Sequence, residues 1–309
     1  MSTALTDERR DVARRRPSAP RTRRRGRHRA YLYVLPAAAV YAAFSLWPGL
    51  NTVYYSLHRW DGLNPAEWTG FDNYAEVFTD PDLFGSILHS LVLVLFFAAA
   101  PIIVGLLLTG LLMGRGTRGM TAFRVIYFLP QVVPLVAVGV TWRWIYAEDG
   151  VVNQALRAAG LDALASPWLA RHTTALIAIG LIGTWCMTGL CMMLFVSGAQ
   201  KIDASLYEAA AMDGAGAFRR FTSVTLPGLR GEISVAAVIT TIAALASFDL
   251  IYVTTGGGPE NATTVPGLLV YRLAFSYGEV GGAAALAVVL TVLILAFVTA
   301  IRRLTREKE

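Results

Sequence analysis

Six stretches of this 309-residue chain are apolar over a length that can cross a bilayer, and no other feature limits the possible fold as tightly. They run from about Tyr31 to Leu57, Gly85 to Met113, Phe123 to Ala147, Thr173 to Ser197, Ile233 to Val253 and Gly281 to Ile301. At ~1.5 Å per residue, each is long enough as a helix to cross a hydrocarbon core of ~30 Å. With 55% hydrophobic and 16% charged residues and a mean hydropathy of +0.52, the chain is too apolar for an ordinary pair of soluble domains. The expected fold is an all-α membrane protein with six transmembrane helices, which puts both termini on one side.

Charge decides which side. The net charge of +6 is concentrated before the first apolar run, from Arg9 through Arg29, a pattern that reads as a topology signal rather than as an RNA- or DNA-binding face. Arg115, Arg118, Lys201, Arg219, Arg220, Arg230, Arg302, Arg303, Arg306 and Lys308 fall on the same side, whereas the loops of the other side hold Arg59, Arg157, Arg171 and Arg272. The positive-inside rule therefore predicts cytoplasmic termini and a cytoplasmic 198–231 loop. The chain divides into a basic tail over 1–30, the first span and an outer loop over 31–84, a core of five spans over 85–301, and a second tail over 302–309. Pro17, Pro20 and Gly26 interrupt the first tail, which is expected to be disordered. The first span is too long for a signal-peptide core and no small-residue cleavage site follows it, so it is expected to be retained.

Within the spans most features have a packing explanation. Cys186 and Cys191 lie in one apolar run without further metal ligands and at an awkward spacing for a disulfide, which makes them packing residues. Pro36, Pro101, Pro130 and Pro134 should kink their helices. Gly180, Gly183 and Gly189 in the fourth span, and Gly281 and Gly282 with Ala283 to Ala285 in the sixth, permit close helix contact. Tyr31, Trp47, Tyr54, Trp60, Trp142, Trp144 and Tyr146 sit where interfacial aromatic belts form, and Arg143 among them is expected to snorkel to the interface. The outer segments carry turn signals at Asp61-Gly62, Gly150 and Gly256 to Pro259, with room for short helices. The TGGGP run lacks both the preceding strand and the Lys-Ser/Thr ending of a phosphate-binding loop.

The polar, glycine-interrupted loop IDASLYEAAAMDGAGAFRRFTSVTLP, from Ile202 to Pro227, stands apart between two spans. Asp203 can cap a helix that runs through Leu206 and Tyr207 to Met212, and Gly214 can supply the left-handed residue that ends it. A second helix should follow, with Phe218, Phe221 and Val224 on one face and Pro227 closing it. Ala209, Ala210 and Ala211 leave the first helix slim enough for a partner's backbone to approach. Glu208 either completes a capping box with Ser205 or offers its charge to an arginine across a contact, and Asp213-Gly214 could be a turn alone.

The succession EAA, DG, LP at this spacing, in the loop before the penultimate span, resembles the EAA motif of inner-membrane permease subunits of binding-protein-dependent ABC importers. SLHRWDGLNPAEWTGFDNYAEVF, FLPQVVPLVAVGVTWRWIYAEDGVVNQALRAAGL and FDLIYVTTGGGPENATT are similar to the carbohydrate-uptake branch, of maltose- or glycerol-phosphate first-permease type, and the likeness extends from about Tyr31 to Ile301. Val224 stands where isoleucine is frequent, and Arg230-Gly231 replaces a common proline. The resemblance implies a MetI-like permease core in a bacterial inner membrane. Glu208, Ala209, Ala210, Asp213 and Gly214 would then couple to an ATP-hydrolysing subunit. It implies as partners a second permease subunit, two ATP-binding subunits that hold ATP and Mg, an extracytoplasmic solute-binding protein, a sugar-like solute and lipid. This chain itself would bind no cofactor, metal or nucleic acid and would catalyse nothing.

Asp249 is the one acidic residue well inside an apolar stretch, toward the far end of the fifth. With Phe248 and Tyr252 it could face a hydroxyl-rich solute, or it could cap or pair within the bundle. Thr240, Thr241 and Ser247 can bond their own helix carbonyls. A stand-alone secondary transporter or channel would call for more intramembrane charge and leaves the EAA loop unexplained. An intramembrane enzyme would need convergent groups, whereas His28, His58, His89 and His172 are scattered.

Overall fold

The computed structural model describes residues 27–112 and 120–305, with side chains from 33 and from 122 onward in those segments. Most of the basic tail, together with Met113, Arg115, Arg118, Arg306 and Lys308, lies outside the described residues. The chain divides into two compact units, one up to Leu50 and one from Asn51 onward.

Helices α1 (Arg27–Tyr41) and α2 (Trp47–Tyr55) join through a π-turn at Ala42–Leu46. A two-stranded hairpin follows, β1 (His58–Arg59) against β2 (Glu67–Trp68), antiparallel with His58 opposite Trp68. Asp61 turns the chain between them: Oδ1 accepts from the Asn64 and Leu63 amides at 2.8 and 2.9 Å, and these bonds hold its carboxyl below the usual range. Next come α3 (Asp72–Thr79), α4 (Pro81–Val94), a π-turn at Leu95–Ala99 and α5 (Ala100–Leu112). The chain continues through α6 (Met120–Val132), α7 (Leu135–Ile145), the short α8 (Val151–Ala158) and the 28-residue α9 (His172–Ala199). Beyond α9 lie α10 (Ala204–Met212), α11 (Ala217–Arg220), a π-turn at Phe221–Thr225, α12 (Leu226–Gly228) and α13 (Arg230–Leu245). Last are α14 (Asp249–Thr254), α15 (Pro266–Arg272), a π-turn at Leu273–Tyr277 and α16 (Val280–Thr305).

The six apolar stretches do not become six uninterrupted helices. Among the described residues four helices are long and apolar enough to cross a membrane, Tyr33–Tyr55, Pro81–Leu112, His172–Ala199 and Val280–Thr305, or up to six spans if each of two bent helix pairs counts as one. The third bends by 100° between α6 and α7, where Pro134 takes an extended ψ of 133° and cannot donate to a continuing helix. The fifth begins at Arg230, after a 69° bend from the helical segment Ala217–Gly228, and stops at Leu245 rather than Val253. Phe248, at φ −143° and ψ −59°, separates it from α14. Of the prolines expected to kink their helices, Pro134 marks the 100° bend and Pro101 follows a π-turn, whereas Pro36 and Pro130 lie inside the uninterrupted α1 and α6. Pro48, Pro101 and Pro227 each lie two residues past the end of a π-turn. The wider turn relieves the clash between the proline ring and the preceding carbonyl and tolerates the missing donor.

Helix α9 forms the centre of the larger unit. Ala178, Ile179 and Ile182 are fully buried. Its glycines are sockets for neighbours: a Cβ at Gly183 would lie 2.0 Å from the Phe97 ring, and one at Gly189 2.1 Å from the Tyr127 carbonyl oxygen of α6. Thr184 Oγ1 ties α9 to the Phe96 carbonyl at 2.7 Å. Cys186 and Cys191 are buried, free and engaged in packing.

Candidate functional site

The loop after α9 is built largely from bonds within itself. Asp203 caps α10, its Oδ1 accepting from the Ser205 amide at 2.9 Å, and this bond holds the Asp203 carboxyl below its ordinary value. At the other end Gly214 takes φ +74°; its amide donates to the Ala211 carbonyl at 3.0 Å and the Ala215 amide to the Ala210 carbonyl at 2.9 Å. These two bonds make a Schellman termination, and only a residue without Cβ adopts that backbone freely. Helix α10 starts at Ala204, so Ser205 and Glu208 form no capping box. Glu208 is exposed and makes no hydrogen bond or ion pair among the described residues. Ala209, Asp213 and Gly214 are exposed with it, and Ala210 is half-buried. The face expected for the second helix is only partly realised: Phe221 packs on α5 at Gly110, whereas Phe218 is 80% exposed. Leu206 and Met212 are exposed too, giving the loop an uncovered apolar surface.

Three contacts close the base of this loop. Lys201 Nζ lies 3.3 Å from Glu232 Oε1, joining the end of α9 to the first turn of α13. Ile202 packs on Gly228 so closely that a Cβ there would sit 2.6 Å from Ile202 Cδ1. The Tyr207 hydroxyl shares a hydrogen bond with Thr225 Oγ1 at 3.0 Å.

A family model described as "Binding-protein-dependent transport system inner membrane component" matches residues 102–308, more than half of the chain and the whole of this loop. The chain belongs to that family. It is 34% identical over 284 residues to the sulfoquinovosyl glycerol transport system permease protein SmoG of Agrobacterium fabrum, covering 91% of each chain. It is also 34% identical over 269 residues to the trehalose/maltose transport system permease protein MalF of Thermococcus litoralis, covering 86% of this chain and 90% of the relative. The fold matches a chain of a crystal structure of the bacterial alginate ABC transporter in complex with alginate pentasaccharide-bound periplasmic protein. That match has a TM-score of 0.77 at 22% identity and covers 91% of this chain and 95% of the other. The protein is a multi-pass permease of a binding-protein-dependent ABC importer.

In this permease the second set of sequence-selected residues surrounds the break in the fifth stretch. Asp249 is not inside a continuous helix; it occupies the first turn of α14 and is exposed, where a carboxylate also complements the helix dipole. Phe248 stacks on Tyr252 with ring centroids 5.3 Å apart, and the wall extends to residues that the periodicity did not single out. Tyr271 of α15 lies 5.6 Å from Phe248 and 5.7 Å from Tyr252, and Phe275 5.5 Å from Tyr271. Tyr252 is 50% exposed and Phe275 80%, leaving aromatic faces open. Thr240 bonds the Ala236 carbonyl of its own helix at 2.8 Å, as expected. Ser247 does not: among the described residues its buried Oγ has no partner, nor has the buried Oε1 of Gln131, near the end of α6. One unsatisfied oxygen therefore stands at each of the two broken stretches, a cost of about 1–3 kcal/mol each unless something donates to it.

The half-helices beyond these breaks support each other. Gly139 of α7 faces Leu250 and Val253 of α14 at 3.4–3.5 Å from a Cβ position. Arg143 is exposed and donates from Nη1 to the Val253 carbonyl at 3.3 Å, satisfying an acceptor near the end of α14. The glycine loop after α14 is a mesh: Gly256 and Gly257 at φ +59° and +93°, Thr263 Oγ1 donating to the Gly258 carbonyl at 2.8 Å, and Arg272 Nη2 donating to the Gly256 carbonyl. Of the histidines, His58 Nδ1 meets the Tyr54 carbonyl and His89 Nδ1 the Thr264 carbonyl, while His172 starts α9.

Proposed function

We propose that this chain forms half of the translocation pathway for a sugar or related polyol and takes its drive from an ATPase seated on α10. The observation that carries the reading is an exposed, self-terminated helix with an unpartnered carboxylate, Glu208, tied at its base to two spans. Ala209 and Ala210 offer a slim surface, Asp213 and Gly214 fix the turn, and Leu206, Met212 and Phe218 supply apolar area for a groove on the partner. Two ATP-binding subunits hold ATP and Mg, a second permease subunit completes the pathway, and a solute-binding protein delivers cargo at the opposite end. Closure of the ATPases on nucleotide draws the coupling helices together and turns the pathway outward, and hydrolysis resets it. The chain needs no cofactor and carries no catalytic residue.

We read the end that bears the loop as cytoplasmic in a bacterial inner membrane, a reading supported by the gathering of Lys201, Arg219, Arg220, Arg230, Arg302 and Arg303 there. The carbohydrate reading is supported by the solutes for which SmoG and MalF are named and by the wall of Phe248, Tyr252 and Tyr271 beside Asp249. Aromatic faces and a carboxylate suit a hydroxyl-rich ring.

The test is co-expression with the neighbouring ATPase and permease, reading complex formation and binding-protein-stimulated ATP hydrolysis. Glu208→Arg should lower stimulated hydrolysis by more than about tenfold, the expected result of reversing a charge at an interface. Unchanged association and hydrolysis in Glu208→Arg and Gly214→Pro would remove α10 as the coupling element. Uptake without any ATPase would instead favour a stand-alone transporter.

A further inference from the structure

Helices α13 and α16 diverge at the loop end of the bundle around a cavity of about 670 Å³ lined by Gly231, Ser234, Thr299, Arg302, Arg303 and Thr305. Among the described residues the lining holds two guanidinium groups, three hydroxyls and no carboxylate, which suits an anion. The nearest acid in the sequence, Glu232, is committed to Lys201 at 3.3 Å. The 16-residue α13 also begins here with no side-chain cap, so amides of its first turn remain available beside the arginines. Ser234 Oγ and Thr305 Oγ1 share a hydrogen bond at 2.7 Å that joins the two helices at the cavity.

The surface leading away from the cavity changes character. On α13, Val235, Ile239 and Ile242 follow Gly231 at helical spacing and are exposed; on α16, Leu295 and Val292 lead back from Thr299 in the same way. A cationic end that continues into an exposed apolar track between two spans matches a molecule with an anionic head and hydrocarbon tails. We propose that this groove binds an anionic phospholipid, its phosphate between Arg302, Arg303 and the first turn of α13 and its acyl chains along Val235 and Leu295. A zwitterionic lipid fits less well, because its ammonium group would meet two guanidinium charges and no carboxylate.

The full-length chain, purified with its partner subunits, can be titrated with phosphatidylglycerol or phosphatidylcholine in mixed micelles and read by native mass spectrometry. Phosphatidylglycerol should be retained about tenfold or more tightly, as two arginines at a membrane surface predict. R302Q/R303Q should abolish the preference, and R302K/R303K should keep most of it. Thr299→Trp, which fills the cavity without changing charge, should also abolish it and serves if R302Q/R303Q fails to assemble. Arg157→Gln, a charge removal in the segment between α7 and α9, should leave it intact. Equal retention of both lipids, or persistence of the preference in R302Q/R303Q or Thr299→Trp, overturns the proposal. Displacement by millimolar inorganic phosphate would make this a free-anion site, and absence of lipid from the assembled complex would mean that another subunit covers the groove. Either result also overturns it.

Discussion

Gly214 and Gly257 both hold left-handed backbone, at φ +74° and +93°, yet they sit in opposite kinds of structure. A Cβ at Gly214 would meet nothing within 4 Å, whereas one at Gly257 would lie 2.6 Å from Thr264 Oγ1 and 3.0 Å from Leu268 Cδ2. The loop around Gly214 is shaped by bonds to its own immediate chain and leaves its surface uncovered. The region around Gly257 is shaped by groups that arrive from α15, with Thr263 and Thr264 fully enclosed. The element proposed to fit another subunit carries its own geometry, while the element proposed to frame a pathway borrows geometry from the rest of the fold.

Replacing both glycines by alanine tests this contrast most strongly. Gly257→Ala combines left-handed strain with overpacking and should cost roughly 2–5 kcal/mol, whereas Gly214→Ala should cost about 1–2 kcal/mol from backbone strain alone. Thermal unfolding of the detergent-solubilised complex ranks them, and equal losses would erase the distinction. Tyr271→Ala acts on the borrowed geometry alone. Removing the ring between Tyr252 and Phe275 should raise the solute concentration for half-maximal uptake by roughly 2- to 12-fold and leave the ATP hydrolysed per solute unchanged. A change in that ratio would mean that the wall also transmits motion.

Asp203→Ala acts on the locally held loop and should have the smallest effect. Severalfold faster hydrogen exchange at the Ser205 amide and along α10 is expected, with no change around Gly257. Acid should reproduce it. The Asp203 carboxyl lies below its ordinary value because the Ser205 amide donates to the charged form, so its stabilisation is present above the ordinary carboxylate range. It is lost as pH falls through the lower value held in the folded loop. Fraying of α10 that begins instead in the neutral range would point to another group.

The same contrast explains what could be read in advance. Asp203 and Gly214 act on neighbours within a few residues, so spacing alone revealed α10 and its two ends, whereas Pro227, expected to close the second helix, lies inside the segment Ala217–Gly228. The break at 246–248 could not be read that way, because no proline or glycine lies between Gly231 and Gly256 and the hydropathy runs on unbroken. It is set by contacts from afar, with Phe248 against Tyr271 and a Cβ at Gly267 only 3.1 Å from the Ser247 carbonyl oxygen. Arg143 belongs to the same class, since its acceptor on Val253 lies 110 residues away along the chain. Pro134 did mark the other break, but a proline signals a kink without fixing its size, here 100°. Phe218 obeys the spacing of a buried face and is exposed because the π-turn at Phe221–Thr225 shifts the helical phase just after it.

The contacts that close the base of the loop, Lys201 with Glu232, Ile202 against Gly228 and Tyr207 with Thr225, make it a ring rather than a tether. A tether pulled at its middle first straightens, and most of the displacement is spent in slack. A ring with a closed neck has little slack to give up, so a push delivered at Glu208, as the proposed coupling requires, would arrive at the exit of α9 and the entrance of α13 together, as one stroke on two levers.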